Sequence, residues 1–237
     1  MIKQAIILAG GLGTRLRPVI SDIPKCMAPV DGKPFLHYLI EFYKKNGITD
    51  FILSVGYLHE VIEEFLSENF RDLNYKISLE KEPLGTGGAI QLACKQTSEQ
   101  NLLVCNGDTF YKVDIGQLTE FHEEKNAECT LCLKPMNNFD RYGVVELNPD
   151  KSIKSFKEKD FYKKGLINGG VYALNVEQFL KENLQEKFSF EKDFLEKKVQ
   201  LSGNSSSLFG LVQDNYFIDI GIPSDYERAQ KELPEIK

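Results

Sequence analysis

The chain has 237 residues, 42% of them hydrophobic, and a formal net charge of −6 at pH 7. This length and composition can bury a full core, so we expect one domain spanning residues 1–237. The acidic balance argues against a nucleic-acid-binding or membrane-surface protein, since either would need a basic face. Because no apolar segment approaches the length of a membrane span and the N-terminus begins a strand, we expect a cytoplasmic protein.

The first apolar run, residues 5–8, predicts a buried strand that ends in a glycine-rich turn. The turn contains three glycines, Gly10, Gly11 and Gly13. Because glycine lacks a Cβ, the backbone N–H groups of this turn can approach a polyphosphate closely and form an anion nest. Arg15 and Lys25 follow with fixed positive charge, which favours phosphate binding over a plain turn.

Two better-known phosphate loops do not match these residues. The dinucleotide fingerprint requires a glycine where Leu16 stands, and the Gly-Lys-Ser/Thr of a P-loop is absent. The sequence therefore argues against a Rossmann dehydrogenase.

The next segments alternate between helical and strand patterns. Helices are predicted at residues 35–46 and 59–66 and through Ala93, and strands at 51–55, 75–79 and 102–105. This rhythm is typical of an α/β fold with parallel strands. Tyr57 follows the second strand at the expected ligand edge, and both a packing and a binding role are open for it.

A second glycine-rich turn follows the strand at 75–79. Its four residues are Gly85, Thr86, Gly87 and Gly88. These glycines would let the backbone approach a flat ligand, although a glycine-rich helix entry is the alternative explanation.

Asn106, Gly107 and Asp108 follow the strand at 102–105. A carboxylate directed into a phosphate site needs a cation or donors beside it, so Asp108 is the first candidate metal ligand. The alternative role is a helix cap. Because Asp114 lies closer to the helix predicted at 115–125, we favour the metal role for Asp108.

The second half of the chain is less regular. Strands are predicted at 142–147, 153–156, 166–174 and 216–219, and helices at 176–184, 191–198 and 224–231. The last strand ends at Asp219. We expect His37, His59 and His122 to lie on helix surfaces.

The five cysteines are an odd number, which suits reduced thiols better than a disulfide framework. Cys129 and Cys132 have the spacing of a redox or metal pair. Because they lie three apart on a predicted strand, their thiols should point to opposite faces, and we expect both in the core.

The motifs together resemble the signature of the sugar-1-phosphate nucleotidyltransferases. The matching stretches are Leu-Ala-Gly-Gly-Leu-Gly-Thr-Arg-Leu-Arg-Pro at 8–18, Pro-Lys at 24–25, Pro-Val at 29–30 and Lys-Pro at 33–34. The resemblance continues to Asp219. It implies a Rossmann-like three-layer αβα sandwich with a mixed, mostly parallel central sheet and one catalytic domain.

The resemblance also implies a reaction and its site residues. A sugar 1-phosphate would attack the α-phosphorus of a nucleoside triphosphate and expel pyrophosphate, with Mg²⁺ between Asp108 and Asp219. Arg15 would grip the β- and γ-phosphates, and Lys25 would stabilise charge at the reacting phosphorus. Arg15, Lys25 and Asp108 are thus the catalytic candidates.

The binding residues implied by the same resemblance fall into two groups. Those for the nucleotide are Leu8, Ala9, Gly10, Gly11, Gly13, Thr14, Arg15, Lys25, Glu80, Glu82, Gly85, Thr86, Asn106 and Gly107. Those for the sugar phosphate are Tyr142, Gly143, Glu158, Lys159, Asn168 and Gly169. Glu158 and Lys159 could instead belong to a solvated surface run, and Asp160 stands where the family usually has proline.

Within the family, the segments Ile-Asn-Gly-Gly-Val-Tyr and Phe-Ile-Asp-Ile-Gly-Ile-Pro most resemble D-glycero-α-D-manno-heptose 1-phosphate guanylyltransferases. GTP is therefore the expected triphosphate. A carboxylate at Glu80 or Glu82 could accept hydrogen bonds from the N1–H and N2 amino groups of guanine, and we expect Glu82→Gln to erode this preference. Alternatives are a mannose-1-phosphate guanylyltransferase, a glucose-1-phosphate thymidylyl- or uridylyltransferase, and a non-catalytic sugar-nucleotide sensor.

Overall fold

The computed structural model describes residues 1–11, 23–202 and 207–236. Gly13, Thr14 and Arg15 lie outside these ranges. No helix in the described ranges is both long and apolar enough to cross a membrane.

Thirteen strands and seven α-helices are assigned in the described residues. The strands are β1 (Gln4–Leu8), β2 (Pro29–Val30), β3 (Lys33–Pro34), β4 (Asp50–Val55), β5 (Asn74–Leu79), β6 (Asn101–Asn106), β7 (Thr109–Tyr111), β8 (Cys129–Phe139), β9 (Val144–Leu147), β10 (Ile153–Lys157), β11 (Tyr162–Asn175), β12 (Leu208–Val212) and β13 (Phe217–Asp219). The helices are α1 (Phe35–Lys45), α2 (His59–Asn69), α3 (Gly85–Cys94), α4 (Ile115–Glu124), α5 (Val176–Lys181), α6 (Lys197–Ser202) and α7 (Pro223–Glu232).

Parallel strands form the centre of the main sheet, in the order β5, β4, β1 and β6. Strand β1 is apolar on both faces, and Ile6 and Ile7 are fully buried in cores on opposite sides of the sheet. Because the strands are parallel, their carboxyl ends share one edge. The two glycine-rich turns and the segment that begins at Asn106 all lie along that edge, where open α/β sheets bind ligands.

Strand β11 extends the sheet in the antiparallel direction. It pairs with β6 on one side and with β8 on the other, and β12 adds to β8 in parallel. The β11–β8 register shifts between Asn168 and Tyr172, so the predicted Asn-Gly-Gly segment forms an irregular bulge. Gly170 in this bulge has φ +68°, a conformation that favours glycine.

Helices cover both faces of the sheet. One core is closed by apolar side chains of α1, α2, α4 and α7, and the other by α3, α5 and the segment from Phe190 onward. This arrangement confirms the predicted three-layer sandwich with a mixed sheet.

The helix predicted at 191–198 differs from the observed segment. Residues Phe190–Glu196 form a π-helix, and α6 continues from Lys197. The wider turn stacks Phe190 on Phe194, with ring centroids 5.2 Å apart, and packs both against Phe179. Helix α5 also ends earlier than predicted, at Lys181.

The prediction that His122 lies on a helix surface is wrong. Its side chain is 2% exposed, and its ring nitrogens contact the Thr130 hydroxyl at 2.9 Å and the Asn101 amide oxygen at 3.3 Å. Burial lowers the pKa of His122 to about 4. The neutral ring therefore acts as a polar bridge between α4 and the sheet.

The prediction for the cysteines is confirmed. All five are buried and free. Cys129 and Cys132 lie in cores on opposite faces of the sheet, as expected for strand positions three residues apart.

Candidate active site

A cavity of about 320 Å³ opens at the carboxyl edge of the parallel strands. This volume falls within the range of small-molecule sites. Described residues that line it include Leu8, Ala9, Gly10, Gly11, Lys25, Ser54, Glu80, Gly85, Thr86, Asn106, Gly107 and Asp108. The structure thus brings most of the predicted nucleotide-binding residues to one place.

Three charged residues from separate regions of the chain meet beside this cavity. Strand β13 pairs antiparallel with β7, and this register sets Asp219 opposite Thr109, next to Asp108. The Ile220 N–H also donates to the Asp108 carbonyl at 3.0 Å. Lys25 enters from a buried 3-10 turn, Lys25–Met27. Its Nζ lies 2.5 Å from Asp108 Oδ2 and 3.8 Å from Asp219 Oδ1.

The two carboxylates have different surroundings. The Asp219 side chain is 20% exposed, compared with 36% for Asp108. Burial and the neighbouring charge of Asp108 raise the pKa of Asp219, while Lys25 and hydrogen bonds from the Gly221 N–H and the Tyr142 hydroxyl oppose the rise. The site therefore holds two close negative charges that a cation or a donor must compensate.

Gly10 of the first glycine turn and Gly107 after β6 both lie close to neighbouring segments. A Cβ built on Gly10 would lie 3.0 Å from Glu80 Oε1 and 3.4 Å from the Gly56 nitrogen. A Cβ on Gly107 would lie 2.6 Å from the Leu8 carbonyl oxygen, which accepts a hydrogen bond from the Gly107 N–H at 2.9 Å. A side chain at Gly107 would push the ends of β1 and β6 apart, and one at Gly10 would displace the Glu80 carboxylate.

The second glycine turn has a different explanation from the one that its sequence suggests. A Cβ on Gly85 would lie 2.6 Å from the Phe188 carbonyl oxygen, and one on Gly87 would lie 2.1 Å from the Phe188 ring. A Cβ on Gly88 would lie 2.3 Å from the Glu186 carbonyl oxygen. The space left by these glycines is filled by this chain's own segment, while Gly85 and Thr86 also line the cavity.

Thr86 connects this turn to the π-helix. Its hydroxyl donates to Glu191 Oε2 at 2.8 Å and accepts from the Phe190 N–H at 2.9 Å. The position of the turn in the cavity wall therefore depends on the segment that follows Phe188.

The two glutamates near this turn occupy different positions. Glu80 lines the cavity, and its Oε2 accepts from the Leu84 N–H at 3.0 Å. Burial raises the pKa of Glu80, while the Leu84 N–H and the Ser54 hydroxyl act in the opposite direction. Glu82 is exposed and is not among the described residues that line the cavity.

The predicted sugar-phosphate residues separate into two sets. The Tyr142 hydroxyl donates to Asp219 Oδ2 at 3.3 Å, and Gly143 follows it. Asn168 Oδ1 accepts from the Gly170 N–H at 3.1 Å, and a Cβ on Gly170 would lie 2.5 Å from Asn106 Nδ2. Gly169, between them, packs against the Tyr111 ring. These residues lie at or next to the carboxylate site.

Glu158 and Lys159 form the second set. Both are exposed after β10. The charge of Glu158 acts instead on Glu196, whose pKa is raised chiefly by burial and additionally by Glu158. Among the described contacts, none joins either residue to Lys25, Asp108 or Asp219.

The family model for nucleotidyl transferases matches residues 4–236 of the chain. The chain belongs to the nucleotidyl transferase family. It is 50% identical over 230 residues to a D-glycero-alpha-D-manno-heptose 1-phosphate guanylyltransferase of Aneurinibacillus thermoaerophilus, covering 97% of this chain and 98% of that relative. It is 49% identical to the protein of the same name from Campylobacter jejuni, covering 94% and 96% of the two chains.

A solved structure is similar over the same length. The crystal structure of HddC from Yersinia pseudotuberculosis complexed with GMP-PN has a TM-score of 0.85 and 36% sequence identity to this chain. The match covers 98% of this chain and all of that one.

Sequence reasoning missed two residues near the carboxylates of this nucleotidyl transferase. Arg141 forms an ion pair with Asp225, which is 8% exposed at the start of α7. Burial lowers the pKa of Arg141, but Tyr142 and the carboxylates of Asp225 and Asp219 raise it above its ordinary value. The signal in the sequence was the arginine directly before Tyr142.

Tyr57, for which both a packing and a binding role were open, is 68% exposed, and this exposure excludes packing in the core.

The close packing of Gly87 on Phe188 leads to a stability prediction. Gly87→Ala should lower the free energy of unfolding by about 1–3 kcal/mol, because its methyl group overlaps a buried ring. Gly116→Ala, also in the first turn of a helix, is the matched control. It should change the free energy of unfolding much less, because its Cβ would lie 3.3 Å from Asp114 Oδ1, which has to move by only a few tenths of an ångström. Chemical denaturation measures both, and equal stabilities would contradict the packing explanation.

Proposed function

We propose that this chain transfers the guanylyl group of GTP to D-glycero-α-D-manno-heptose 1-phosphate, forming a GDP-heptose and pyrophosphate. The main support is structural: Lys25, Asp108 and Asp219 lie together at the glycine-lined edge of the sheet. The names of the two relatives at 49–50% identity support the choice of base and sugar.

The reaction brings two anions together, so positioning and charge neutralisation are the main requirements. The Lys25 ammonium lies at the carboxylate pair and is only 10% exposed. In this proposal its charge acts on the α-phosphoryl group as the sugar phosphate attacks and pyrophosphate leaves. Arg15, by the resemblance described above, would hold the β- and γ-phosphates.

Asp108 and Asp219 would hold Mg²⁺. Carboxylate oxygens are ligands that Mg²⁺ prefers, and such ions commonly use one or two protein carboxylates together with substrate phosphates. The raised pKa of Asp219 beside Asp108 fits this donor set, because a cation would relieve the repulsion. When bound, the ion would neutralise phosphate charge as a Lewis acid.

The nucleotide would lie across the ends of β1 and β5. The backbone at Gly10 and Gly11 would face the phosphates, with Asn106 and Gly107 on the side of β6. Glu80 lies against Gly10 and faces the cavity, so it is the carboxylate that we assign to the guanine donors in place of Glu82.

The sugar phosphate would enter from the side of β11. Tyr142, Gly143, Asn168 and Gly169 would border it, since this part of the chain packs against Asp219, Asn106 and Tyr111. The roles of Glu158 and Lys159 are supported by the sequence resemblance alone.

We also propose that residues 1–237 act as one catalytic domain in the cytoplasm. Five free, buried cysteines suit a reducing compartment. A non-catalytic sugar-nucleotide sensor would have no use for charged groups that act only in the transition state. The presence of Lys25 with both aspartates therefore favours an enzyme.

The proposed reaction predicts a defined substrate pattern. In a screen that crosses GTP, UTP and dTTP with heptose, mannose and glucose 1-phosphates, GTP with the heptose should release pyrophosphate fastest. Because a site that reads hydrogen-bonding groups discriminates strongly, kcat/KM should favour GTP over UTP by more than about a hundredfold. No pyrophosphate release with any pair would favour the sensor, and faster turnover with mannose 1-phosphate would reassign the sugar.

The position of Glu80 predicts the effect of removing its charge. Glu80→Gln should lower kcat/KM for GTP by about tenfold to a hundredfold, because an amide cannot accept from both guanine donors. Glu82→Gln is the matched control and should leave the ratio of GTP to UTP unchanged, since Glu82 is exposed. The reverse outcome would return the role to Glu82.

The carboxylate pair predicts a loss of activity without a loss of stability. Asp108→Asn and Asp219→Asn should each lower kcat by about a hundredfold or more. Because the folded state raises the pKa of Asp219, its ionised form costs stability at neutral pH, so Asp219→Asn should unfold at the same or a higher temperature. Asp214→Asn, at a 74% exposed side chain, is the control and should keep full activity. Activity near that of the wild type in either variant would contradict the assignment.

A further inference from the structure

Arg141 lies between β8 and β9 and contacts two elements of the site. Its guanidinium forms an ion pair with Asp225 of α7. The same group lies over the Tyr142 ring, 5.3 Å from its centroid, and its Nη2 is 3.4 Å from the Tyr142 hydroxyl. Arg141 therefore joins the first turn of α7 to the tyrosine that follows it in the chain.

Tyr142 in turn contacts Asp219. Its hydroxyl donates to Asp219 Oδ2 at 3.3 Å, and its ring packs edge-on against Phe217 of β13. Asp219 Oδ1 accepts from the Gly221 N–H at 2.7 Å. Both oxygens of Asp219 are thus held by donors of this chain, and one of those donors is oriented by Arg141.

We propose that Arg141 is a positioning residue that acts through Tyr142 to hold the Asp219 carboxylate in the orientation that a divalent cation and the phosphates of a nucleotide require. This inference depends on the proposed function, because it assigns Asp219 to the cation. Arg141 itself need not touch substrate.

The two contacts of Arg141, with the Asp225 carboxylate and with the Tyr142 ring, favour arginine at this position. Its guanidinium is planar and always charged, so it can meet a carboxylate with one edge while its face covers an aromatic ring. A lysine at this position would offer a single point charge. Groups that orient metal ligands in this way typically change metal affinity or activity by about tenfold to a hundredfold when they are removed.

The competing explanation is that Arg141 only anchors α7 through Asp225. Arg228 provides a matched control, because its Nη1 contacts the other oxygen of Asp225 at 3.1 Å while its remaining contacts go to Glu232. Arg228→Met removes an ion pair to the same carboxylate without changing any described contact of Tyr142.

The test separates metal-dependent binding from folding and from turnover. The affinity of α,β-imido-GTP is measured by titration calorimetry with and without Mn²⁺, for the wild type, Arg141→Met, Tyr142→Phe, the double variant and Arg228→Met. No sugar phosphate is present, so effects on that substrate are excluded. Melting temperatures are measured in parallel.

Arg141→Met should reduce the Mn²⁺-dependent gain in affinity by about tenfold or more and leave the metal-free affinity unchanged. Arg228→Met should retain the full gain. Because Arg141 acts through Tyr142, the double variant should lose no more than the larger single loss.

Three results would overturn the proposal: a full Mn²⁺-dependent gain in Arg141→Met, an equal loss in Arg228→Met, or additive losses in the double variant. If the wild type gains no affinity from Mn²⁺, the proposal also fails. Absence of pyrophosphate release by the wild type in the substrate screen would count against the proposed function alone, since the binding measurements do not depend on turnover.

Discussion

The antiparallel pairing of β7 with β13 is the contact on which the site depends. It brings Asp219 from near the C-terminus to the side of Asp108, at the carboxyl end of β6. The two neighbouring carboxylates repel each other, and partial burial makes the repulsion stronger. Lys25 compensates one of the two charges, and the remaining negative charge favours a cation, which in turn would attract phosphates.

The glycine turns at this edge serve two different purposes. At Gly107, the missing side chain lets the ends of β1 and β6 lie within hydrogen-bonding distance of one another, and at Gly10 it leaves room for the Glu80 carboxylate. At Gly85 and Gly87, the missing side chains let the backbone and ring of Phe188 pack into the helix start. A glycine pattern shows that something approaches the backbone closely, but the identity of the approaching group requires the folded structure.

Much of the fold could be predicted because it follows from local patterns. Apolar runs of strand length, helical periodicity and the cap at Asp114 identified the elements around the parallel strands, and their boundaries agree to within a few residues. The position of His122 was predicted wrongly, and the helix predicted at 191–198 is a π-helix over Phe190–Glu196. In both cases packing of distant segments overrides the local pattern, through the Thr130 contact and the stacked phenylalanines.

The residue pattern by itself determined an α/β fold with parallel strands, the glycine-rich turn after the first strand and Asp108 as a candidate metal ligand, and the family resemblance added Asp219 and the role of Lys25. Tertiary structure decided which charged groups face the cavity. In the sequence, Glu80 and Glu82 are indistinguishable as isolated acidic residues. Glu158 belongs to a pair that resembles a sugar-phosphate-binding motif, but the structure places it on an exposed surface. No sequence motif indicated a role for Arg141. The physical reason is that burial and charge compensation depend on contacts such as Arg141 with Asp225, which join parts of the chain that are far apart in sequence.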